Sequence, residues 1–341
     1  MSETTPNKLA FFPVTLFGSI LGYSGLTLGY IHAHQILGIT NSIALTLTGI
    51  TTLFFIAIGM TYLFKLFKAR PAVQKEFEHP VAMNFFPAIS LGLMLMSLLY
   101  QHINPLLAEG MFYLGAGAQL IFTFYIVQSW ILHEKWEISQ MTPAWFIPVV
   151  GNIVAPIAAV KFVHIEIAWF FFSIGLIFWL ILLAIVMYRL FFHPPLLKVL
   201  EPTLFILIAP PAMGFLSYMA LRGDAPIDDF ARILYYTGLF FALLLFSQTW
   251  RFIKVPFAVS WWAYTFPISA IANASFVMYE KLHINLFGFF AAFFLSVLSA
   301  LILHLTMKTL WQIKNKQLCT PPAVPAANAT PKPTVSEEPT E

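Results

Sequence analysis

The side chains that could do chemistry in this chain are few, and most of them stand in long apolar stretches. His32 and His34 are two positions apart, a spacing that a helix does not bring to one face. His304 stands alone, and packing against a neighbouring helix is the simpler role for it. The sequence contains no HExxH motif, no glycine-rich phosphate loop and no evident Ser–His–Asp set. A membrane enzyme or a metalloid-detoxifying protein would therefore lack its nucleophile or ligand cluster, and no metal or organic cofactor is expected.

The polar side chains inside the apolar stretches are neutral hydroxyls and amides. They are Thr15, Ser19, Asn84, Ser90, Asn152, Ser217, Thr265, Ser269 and Asn273. Such groups, together with the ends of broken helices, can stabilise an anion weakly enough to let it leave. For any single residue, a hydrogen bond between helices is the stronger interpretation. We take Asn84, Asn152, Thr265 and Asn273 as the candidate polar lining of a passage.

Charged residues avoid the centres of the apolar stretches. Glu109 and Glu166 fall in first turns, while Lys161 and Glu280 fall in last turns. Carboxylates within the membrane are the usual marks of proton relays and cation pathways. Their absence argues against a cation channel and against carboxylate-based proton coupling.

The stretch SWWAYTFPISAIANA, residues 260–274, combines a helix breaker with a large ring. Pro267 should kink the helix, because a proline inside a helix removes one backbone hydrogen bond. Phe266 precedes it and would place an apolar ring at the same depth. A ring across a narrow neutral passage would block hydrated ions by its size and by dewetting. The alternative is that Phe266 is one of 36 phenylalanines and packs between helices.

The composition of the whole chain is that of a membrane protein. Its 341 residues are 59% hydrophobic and 10% charged, and the mean hydropathy is +0.80. A soluble domain carries roughly 25% charged residues. The net charge of +3 shows no basic cluster that would favour nucleic acid, and Cys319 is the one cysteine. We therefore expect an all-α, polytopic protein of the lipid bilayer.

Ten stretches are long enough to cross the hydrocarbon layer. Their expected limits are 10–34, 41–67, 81–100, 106–132, 147–163, 165–190, 203–221, 230–251, 258–280 and 285–311. The least secure boundary is the one between the fifth and sixth, near residues 161–164. Residues 1–9 form a cytoplasmic lead in this interpretation, residues 10–311 the membrane domain, and residues 312–341 a disordered cytoplasmic tail.

Proline separates the ten stretches into two classes. Seven prolines fall inside them, all in odd-numbered stretches: Pro13, Pro87, Pro148, Pro156, Pro210, Pro211 and Pro267. Broken helices in lipid are tolerated only against protein or a water-filled cavity. The pattern therefore predicts five helical hairpins, with kinked odd helices inside around a central passage and straight even helices outside. Pro13 is the weakest member, because it can simply start its helix.

The basic residues set the expected orientation. Most of the 18 Lys and Arg lie at the N-terminus, after even-numbered stretches or in the tail. The loops after odd-numbered stretches hold Lys161, Arg222, Arg232 and Lys281. Both termini should then be cytoplasmic, in a multi-pass protein of the plasma membrane or bacterial inner membrane.

Three segments resemble a known family: 78–100 (EHPVAMNFFPAISLGLMLMSLLY), 206–221 (ILIAPPAMGFLSYMAL) and 260–274. The family contains the bacterial tellurite-resistance protein TehA, the plant slow-type anion channels and fungal malate permeases. The resemblance implies ten helices in a quasi-five-fold ring of hairpins, with odd helices lining a central pore. It also implies homotrimers with one pore per subunit, and a pore-plugging phenylalanine that matches Phe266.

The leading functional hypothesis is passage of small anions, such as chloride or nitrate, through a neutral pore. The alternatives are a secondary transporter of C4-dicarboxylates such as malate, or efflux of tellurite or another oxyanion. A dicarboxylate carrier should pair its two negative charges with positive groups, and no stretch has Arg or Lys at its centre. This difference favours the channel.

Overall fold

The computed structural model describes residues 8–133 and 136–319, and every regular element in these ranges is helical. The expected all-α class is therefore confirmed. Most of the predicted N-terminal lead (residues 1–7) and most of the predicted tail (residues 320–341) lie outside the described residues.

The described ranges contain twelve α-helices. They are α1 (Phe17–Leu37), α2 (Asn41–Lys68), α3 (Arg70–Glu78), α4 (Pro87–Tyr100), α5 (Pro105–Leu132), α6 (Ile147–Phe162), α7 (Ile165–Phe192), α8 (Ala209–Arg222), α9 (Asp229–Phe246), α10 (Thr249–Ile253), α11 (Thr265–Leu282) and α12 (Asn285–Lys314). Seven 3-10 segments accompany them: Lys8–Phe11, Val14–Leu16, Ala82–Phe85, Ile138–Gln140, Pro143–Phe146, Lys198–Ile208 and Val259–Tyr264.

Nine helical stretches within the described residues are long and apolar enough to cross a membrane. They are Val14–Leu37, Asn41–Lys68, Ala82–Tyr100, Pro105–Leu132, Pro143–Phe162, Ile165–Phe192, Lys198–Arg222, Asp229–Phe246 and Asn285–Lys314. The expected ninth span, 258–280, is helical but is not among them. Its hydroxyls and amides, together with Glu280 and Lys281 at its end, dilute its apolar character.

Two boundaries test the sequence interpretation closely. The insecure break between the fifth and sixth spans is real, since α6 ends at Phe162 and α7 begins at Ile165. The eighth span is shorter than expected, because α9 ends at Phe246 and a turn separates it from α10. In that turn the Ser247 hydroxyl donates to the carbonyl of Leu244 at 2.7 Å, a local bond that competes with helix continuation.

The helices pair along the chain and then close on themselves. Five successive pairs pack side by side: α1 with α2, α4 with α5, α6 with α7, α8 with α9, and α11 with α12. The first members of these pairs also contact one another in series, from α1 through α4, α6 and α8 to α11, and α11 contacts α1 again. We call α1, α4, α6, α8 and α11 the inner helices, and their partners the outer helices.

Burial follows the same division. In the most apolar 18-residue window of each span, 72% to 89% of the residues are buried in the first, third, fifth and seventh spans. The corresponding shares in the five spans built from outer helices are 17% to 44%. Most residues of α11 are also buried. The outer helices instead expose large apolar side chains, such as Leu53 at 70% and Leu114 at 69%, as a lipid-facing surface would.

Four inner helices continue directly from a 3-10 segment, and one residue, Phe86, separates α4 from its own. Prolines lie at or near these junctions. Pro87 is the first residue of α4, Pro148 the second of α6, and Pro210 the second of α8. Pro267 is the third residue of α11. A proline in the first turn breaks no intrahelical bond, because the amides there have no intrahelical partner. These spans therefore change from 3-10 to α geometry near their prolines, and are not single α-helices bent in the middle.

Three further prolines complete the set. Pro13 precedes the 3-10 segment that leads into α1, and Pro211 follows Pro210 in the first turn of α8. Pro156 alone of the predicted set lies inside an α-helix, at the tenth position of α6. There it removes the amide that would otherwise bond the carbonyl of Asn152.

Candidate functional site

A small cavity lies where the first turns of all five inner helices meet. It encloses about 40 Å³. One water molecule needs roughly 10–15 Å³ measured in this way, so the cavity has room for a few waters. The wall is almost wholly apolar, and its residues come from every inner span: Thr15, Gly18, Leu21, Phe85, Ala88, Leu91, Ile147, Val150, Ile206, Ala209, Val259, Ser260, Trp262, Ala263, Phe266 and Pro267.

The electrostatics of this cavity come from the backbone, because no lining residue carries a charge. The first turn of each inner helix borders the cavity, and the N-terminal end of an α-helix bears a partial positive charge where its amides are unbonded. The leading amides are not free, since those of Phe17, Ile147 and Ala209 donate to carbonyls of the preceding 3-10 segments. The arrangement therefore offers an anion a weak positive field at most and no strong ligand.

Phe266 and Pro267 are both part of this wall. The Phe266 side chain is 8% exposed. The carbonyl of Phe266 accepts a hydrogen bond from the Ser269 hydroxyl at 2.6 Å. The cavity beside the ring is smaller than a hydrated anion.

The two asparagines of the third and fifth spans are buried, donate hydrogen bonds to nearby groups and do not line the cavity. Asn84 Nδ2 donates to the carbonyl of Pro80 at 2.8 Å. Asn152 Nδ2 donates to Thr123 Oγ1 at 2.8 Å and to the carbonyl of Pro148 at 3.1 Å. Both Oδ1 atoms are buried without a hydrogen-bond partner.

The polar pair of the ninth span lies against α1. Thr265 Oγ1 donates to the carbonyl of Trp262 at 2.7 Å. Asn273 Nδ2 donates to the carbonyls of Ser269 at 2.8 Å and Gly25 at 3.1 Å, and its Oδ1 lies 2.9 Å from His32 Nδ1. None of the four predicted polar residues is in the cavity wall; Thr15 and Ser260 are the hydroxyls that are.

Most other hydroxyls of the inner helices bond their own backbone. Ser19, Ser90 and Ser269 donate to the carbonyls of Leu16, Pro87 and Phe266, each three residues earlier. Ser217 donates to the carbonyl of Ile153 on α6. These hydroxyls donate to backbone carbonyls of the inner spans, which explains why the inner spans contain so many serines.

Glycines bring α1 unusually close to the helix that carries Phe266. A Cβ built on Gly22 would lie 2.2 Å from Thr265 Oγ1, and one on Gly25 would lie 2.0 Å from Ser269 Oγ. No pattern in the sequence indicated this close approach, because glycines occur in odd- and even-numbered spans alike. The close contact fixes α11 against α1.

Gln119, at the middle of outer helix α5, is a residue that sequence reasoning missed. It is fully buried. Its Oε1 accepts from Ser90 Oγ of α4 at 2.6 Å, and its Nε2 donates to the carbonyl of Pro148 of α6 at 2.6 Å. It thus ties two neighbouring inner helices together behind their lining turns. The sequence feature that could have identified Gln119 is a side-chain amide at the centre of an apolar, even-numbered span.

A buried ion pair fixes the start of the first span. Lys65 Nζ, on a side chain 2% exposed, lies 2.5 Å from Glu76 Oε2 and donates to the carbonyl of Phe12 at 2.8 Å. Glu76 accepts from the backbone amide of Val14 at 2.7 Å and from the Tyr62 hydroxyl at 2.9 Å. The pair connects α2 and α3 to the chain entering α1.

The described residues contain no group of three or more His, Cys, Asp or Glu side chains placed to hold a metal ion. Together, the all-helical fold and the nine apolar spans define a multi-pass membrane protein, and its inner helices enclose an uncharged cavity.

Comparison with known sequences places this protein in a family. The family described as SLAC1, voltage-dependent anion channel, matches residues 11–310. The chain therefore belongs to this family, as the resemblance of its three segments predicted. It is 31% identical to the S-type anion channel SLAH2 of Arabidopsis thaliana over 271 residues, which are 77% of this chain and 52% of the plant protein.

Two microbial relatives match over more of their length. The tellurite resistance protein TehA homolog of Haemophilus influenzae is 25% identical over 90% of this chain and 92% of its own. An uncharacterized transporter of Methanocaldococcus jannaschii is 26% identical over 82% of this chain and 86% of its own. The chain spans only about half the length of the plant relative SLAH2. These relatives are named as channels, transporters or resistance proteins and not as enzymes.

Proposed function

We propose that this protein passes small anions, of the size of chloride or nitrate, through the axis of its inner helices. The proposed architecture has ten spans, with Val259–Leu282 as the ninth, arranged as five hairpins in a quasi-five-fold ring. The closed series of inner-helix contacts supports this arrangement. The observation that carries the function is the uncharged cavity that receives the first turn of all five inner helices.

The sign of the permeating ion follows from the same geometry. The N-terminal ends of the five inner helices contribute a weak positive field at most, and no lining residue supplies a carboxylate to attract a cation. The amides at those ends are already bonded, so the anion is held weakly and can leave. Membership in a family described as anion channels agrees with this sign.

Phe266 is the proposed gate. Its ring forms part of the cavity wall beside Pro267. Since Gly22 and Gly25 hold α11 against α1, opening requires the ring to rotate about its side-chain bonds. Of the prolines at the junctions, Pro267 lines the cavity, and the others lie in the spans whose first turns border it.

A C4-dicarboxylate carrier and an oxyanion exporter are less well supported. Two carboxylates close together would be expected to meet cationic side chains, and the cavity wall contains no Lys, Arg or His. We further propose, from the family resemblance, a homotrimer with one passage per subunit. From the distribution of Lys and Arg we propose that both termini are cytoplasmic.

Anion flux into proteoliposomes, followed with a chloride-sensitive dye, tests the proposal. We expect slow chloride and nitrate entry with the wild type and at least tenfold faster entry with Phe266→Ala. Phe85→Ala removes a second ring from the same wall, and Phe240→Ala removes a lipid-facing ring that is 60% exposed. If Phe266→Ala behaves like Phe240→Ala, Phe266 is not the gate. Saturable malate uptake driven by a proton gradient would favour the carrier instead.

A further inference from the structure

A groove of about 690 Å³ opens on the outside of the molecule, between the first two helix hairpins. Its floor contains Phe17 of α1 and Phe86 beside α4, and its sides come from α2, α3 and α5. It is separate from the axial cavity, since the two share no lining residue. Nothing in the proposed anion passage uses it.

The groove is apolar along its length and basic at one end. Phe55, Leu63 and Phe122 form part of its sides, whereas Arg70 and Gln74 of α3 lie at its end. Leu63 and Leu66 remain 44% and 42% exposed, so the groove merges with the apolar surface of the outer helices. The α3 segment lies outside the apolar spans, where the membrane meets water.

Arg70 lacks an acidic partner among the described residues. The two nearest glutamates along α3 are engaged, Glu76 by Lys65 and Glu78 by Gln74 Nε2 at 3.0 Å. Arg251 of α10 differs on this point, because it is paired with Glu201 at 3.0 Å. The end of the groove therefore presents an uncompensated guanidinium next to apolar side chains.

We propose that this groove binds an anionic phospholipid, with one acyl chain between α2 and α5 and the phosphate on Arg70. Arginine matches phosphate oxygens with two parallel N–H donors, and basic side chains at the membrane surface favour anionic lipids. The aromatic and aliphatic side walls fit a hydrocarbon chain and offer no partner to a free phosphate ion.

A second copy of this chain fits the groove less well. In a symmetric oligomer with its axis along the membrane normal, all copies have the same orientation. Glu109, Glu166 and Asp229 lie at the starts of even-numbered spans, so they face the membrane surface opposite Arg70. A neighbouring copy would bring none of these three carboxylates to the guanidinium; of the carboxylates on the same surface as Arg70, Glu201 is paired with Arg251 and Glu137 accepts from the Ser139 hydroxyl at 3.1 Å.

Two pairs of variants test the site. Gly59 lines the groove, and a Cβ there would meet nothing within 4 Å, so Gly59→Leu fills the space without a clash. Gly49, on the same helix and equally unobstructed, lies outside the groove and gives the control Gly49→Leu. Arg70→Gln removes the charge at the groove, and Lys75→Gln removes a nearby charge that is not part of it.

The measurement is native mass spectrometry of the full chain in detergent micelles that contain equal amounts of phosphatidylglycerol and phosphatidylcholine. We expect the wild type to retain phosphatidylglycerol, and Arg70→Gln to lower its preference over phosphatidylcholine about fivefold. Gly59→Leu should lose retention of both lipids, while Gly49→Leu and Lys75→Gln should match the wild type. Equal behaviour within either pair would overturn the proposal. So would Gly59→Leu changing the oligomeric mass with lipid retention intact, which would assign the groove to a second copy.

Discussion

The inner and outer helices of this protein solve the same problem, crossing a membrane, in two ways. Each outer helix runs as one α-helix of 18 to 30 residues, whereas each inner span changes from a 3-10 segment to an α-helix near a proline. The outer helices can use only intrahelical bonds, because lipid offers no partner to a free backbone group. The inner helices have neighbours on every side and can therefore tolerate irregular backbone, proline and buried hydroxyls.

The comparison teaches that 3-10 segments and prolines are concentrated in the inner spans, beside the cavity that those spans enclose. The junctions in the five inner spans meet at one level and leave the cavity there. Gln119 shows how an outer helix contributes, since it reaches between two inner helices from behind. The predictions below test this division of labour, from the largest expected effect to the smallest.

The largest effect is expected at Lys65, a charged side chain that is buried although it belongs to the outer helix α2. Glu76→Ala should lower the free energy of unfolding by about 3–5 kcal/mol, because it leaves a buried ammonium without its partner. It also leaves the amide of Val14 without an acceptor. The measurement is denaturant unfolding in detergent.

The matched control removes both charges. Lys65→Met combined with Glu76→Leu should recover much of the loss, since no unpaired charge remains. If the double variant is as unstable as Glu76→Ala, the loss comes from packing and not from the buried charge. Exposed pairs give a second reference: Asp224→Asn breaks the 3.9 Å contact with Lys281 and should change stability by less than about 1 kcal/mol.

Leucine at a glycine should separate the two classes of helix directly. Gly25→Leu on α1 should destabilise the protein by about 3 kcal/mol or more, because even a Cβ overlaps Ser269. Gly49→Leu on α2 meets open space and should be neutral or slightly stabilising. Thermal unfolding of both variants measures the difference, and similar melting temperatures would contradict the close packing of α1 on α11.

Gln119→Leu should have a smaller effect on stability and a specific effect on the passage. Hydrogen bonds between membrane helices contribute about 1–2 kcal/mol at most, so the loss should fall in that range. In a Phe266→Ala background we expect an altered chloride-to-nitrate permeability ratio, because α4 and α6 lose their common tie. Ser299→Ala, which breaks a hydrogen bond between α12 and Tyr30 of α1, is the control and should leave the ratio unchanged.

The smallest effect concerns the start of outer helix α9, outside the membrane. The backbone amide of Ala231 and the Tyr218 hydroxyl donate to the carboxylate of Asp228, and they lower its pKa below the ordinary value. A carboxyl with a lowered folded-state pKa stabilises above its unfolded value of roughly 4, and that stabilisation is lost as the pH falls through the folded value. The melting temperatures of wild type and Asp228→Asn should therefore converge below pH 4. A constant difference would contradict this assignment.

Several features of the fold could be predicted from sequence because they follow from composition and spacing. Apolar length predicted nine spans that the structure confirms, whereas the expected span 258–280 is not apolar enough to be among them. The restriction of proline to odd-numbered spans anticipated which spans are most buried. The position of Pro267 beside Phe266 identified a segment that does line the axial cavity. These inferences need only the local sequence and the free-energy cost of placing backbone N–H and C=O groups without hydrogen bonds in lipid.

Other features depend on contacts between distant residues. The 3-10 segments were not predicted, since their hydrogen-bond pattern has no distinctive composition. Asn84, Asn152, Thr265 and Asn273 have the residue types of a polar lining, yet each bonds a carbonyl or a neighbouring helix. Gln119 meets Ser90 and Pro148, each 29 residues away, and only the packed helices reveal this connection.

The most direct test of the central claim asks whether the cavity wall is also the wall of the ion pathway. Cys319 is the one native cysteine, so a Phe266→Ala, Cys319→Ser background accepts a single reporter thiol. Ala88→Cys places it in the cavity wall, and Leu114→Cys places it on the lipid-facing side of α5. Anion current would be recorded before and after addition of a negatively charged methanethiosulfonate reagent. We predict a several-fold, thiol-reversible loss of current for Ala88→Cys and no change for Leu114→Cys; a current that persists unaltered in Ala88→Cys would contradict the account.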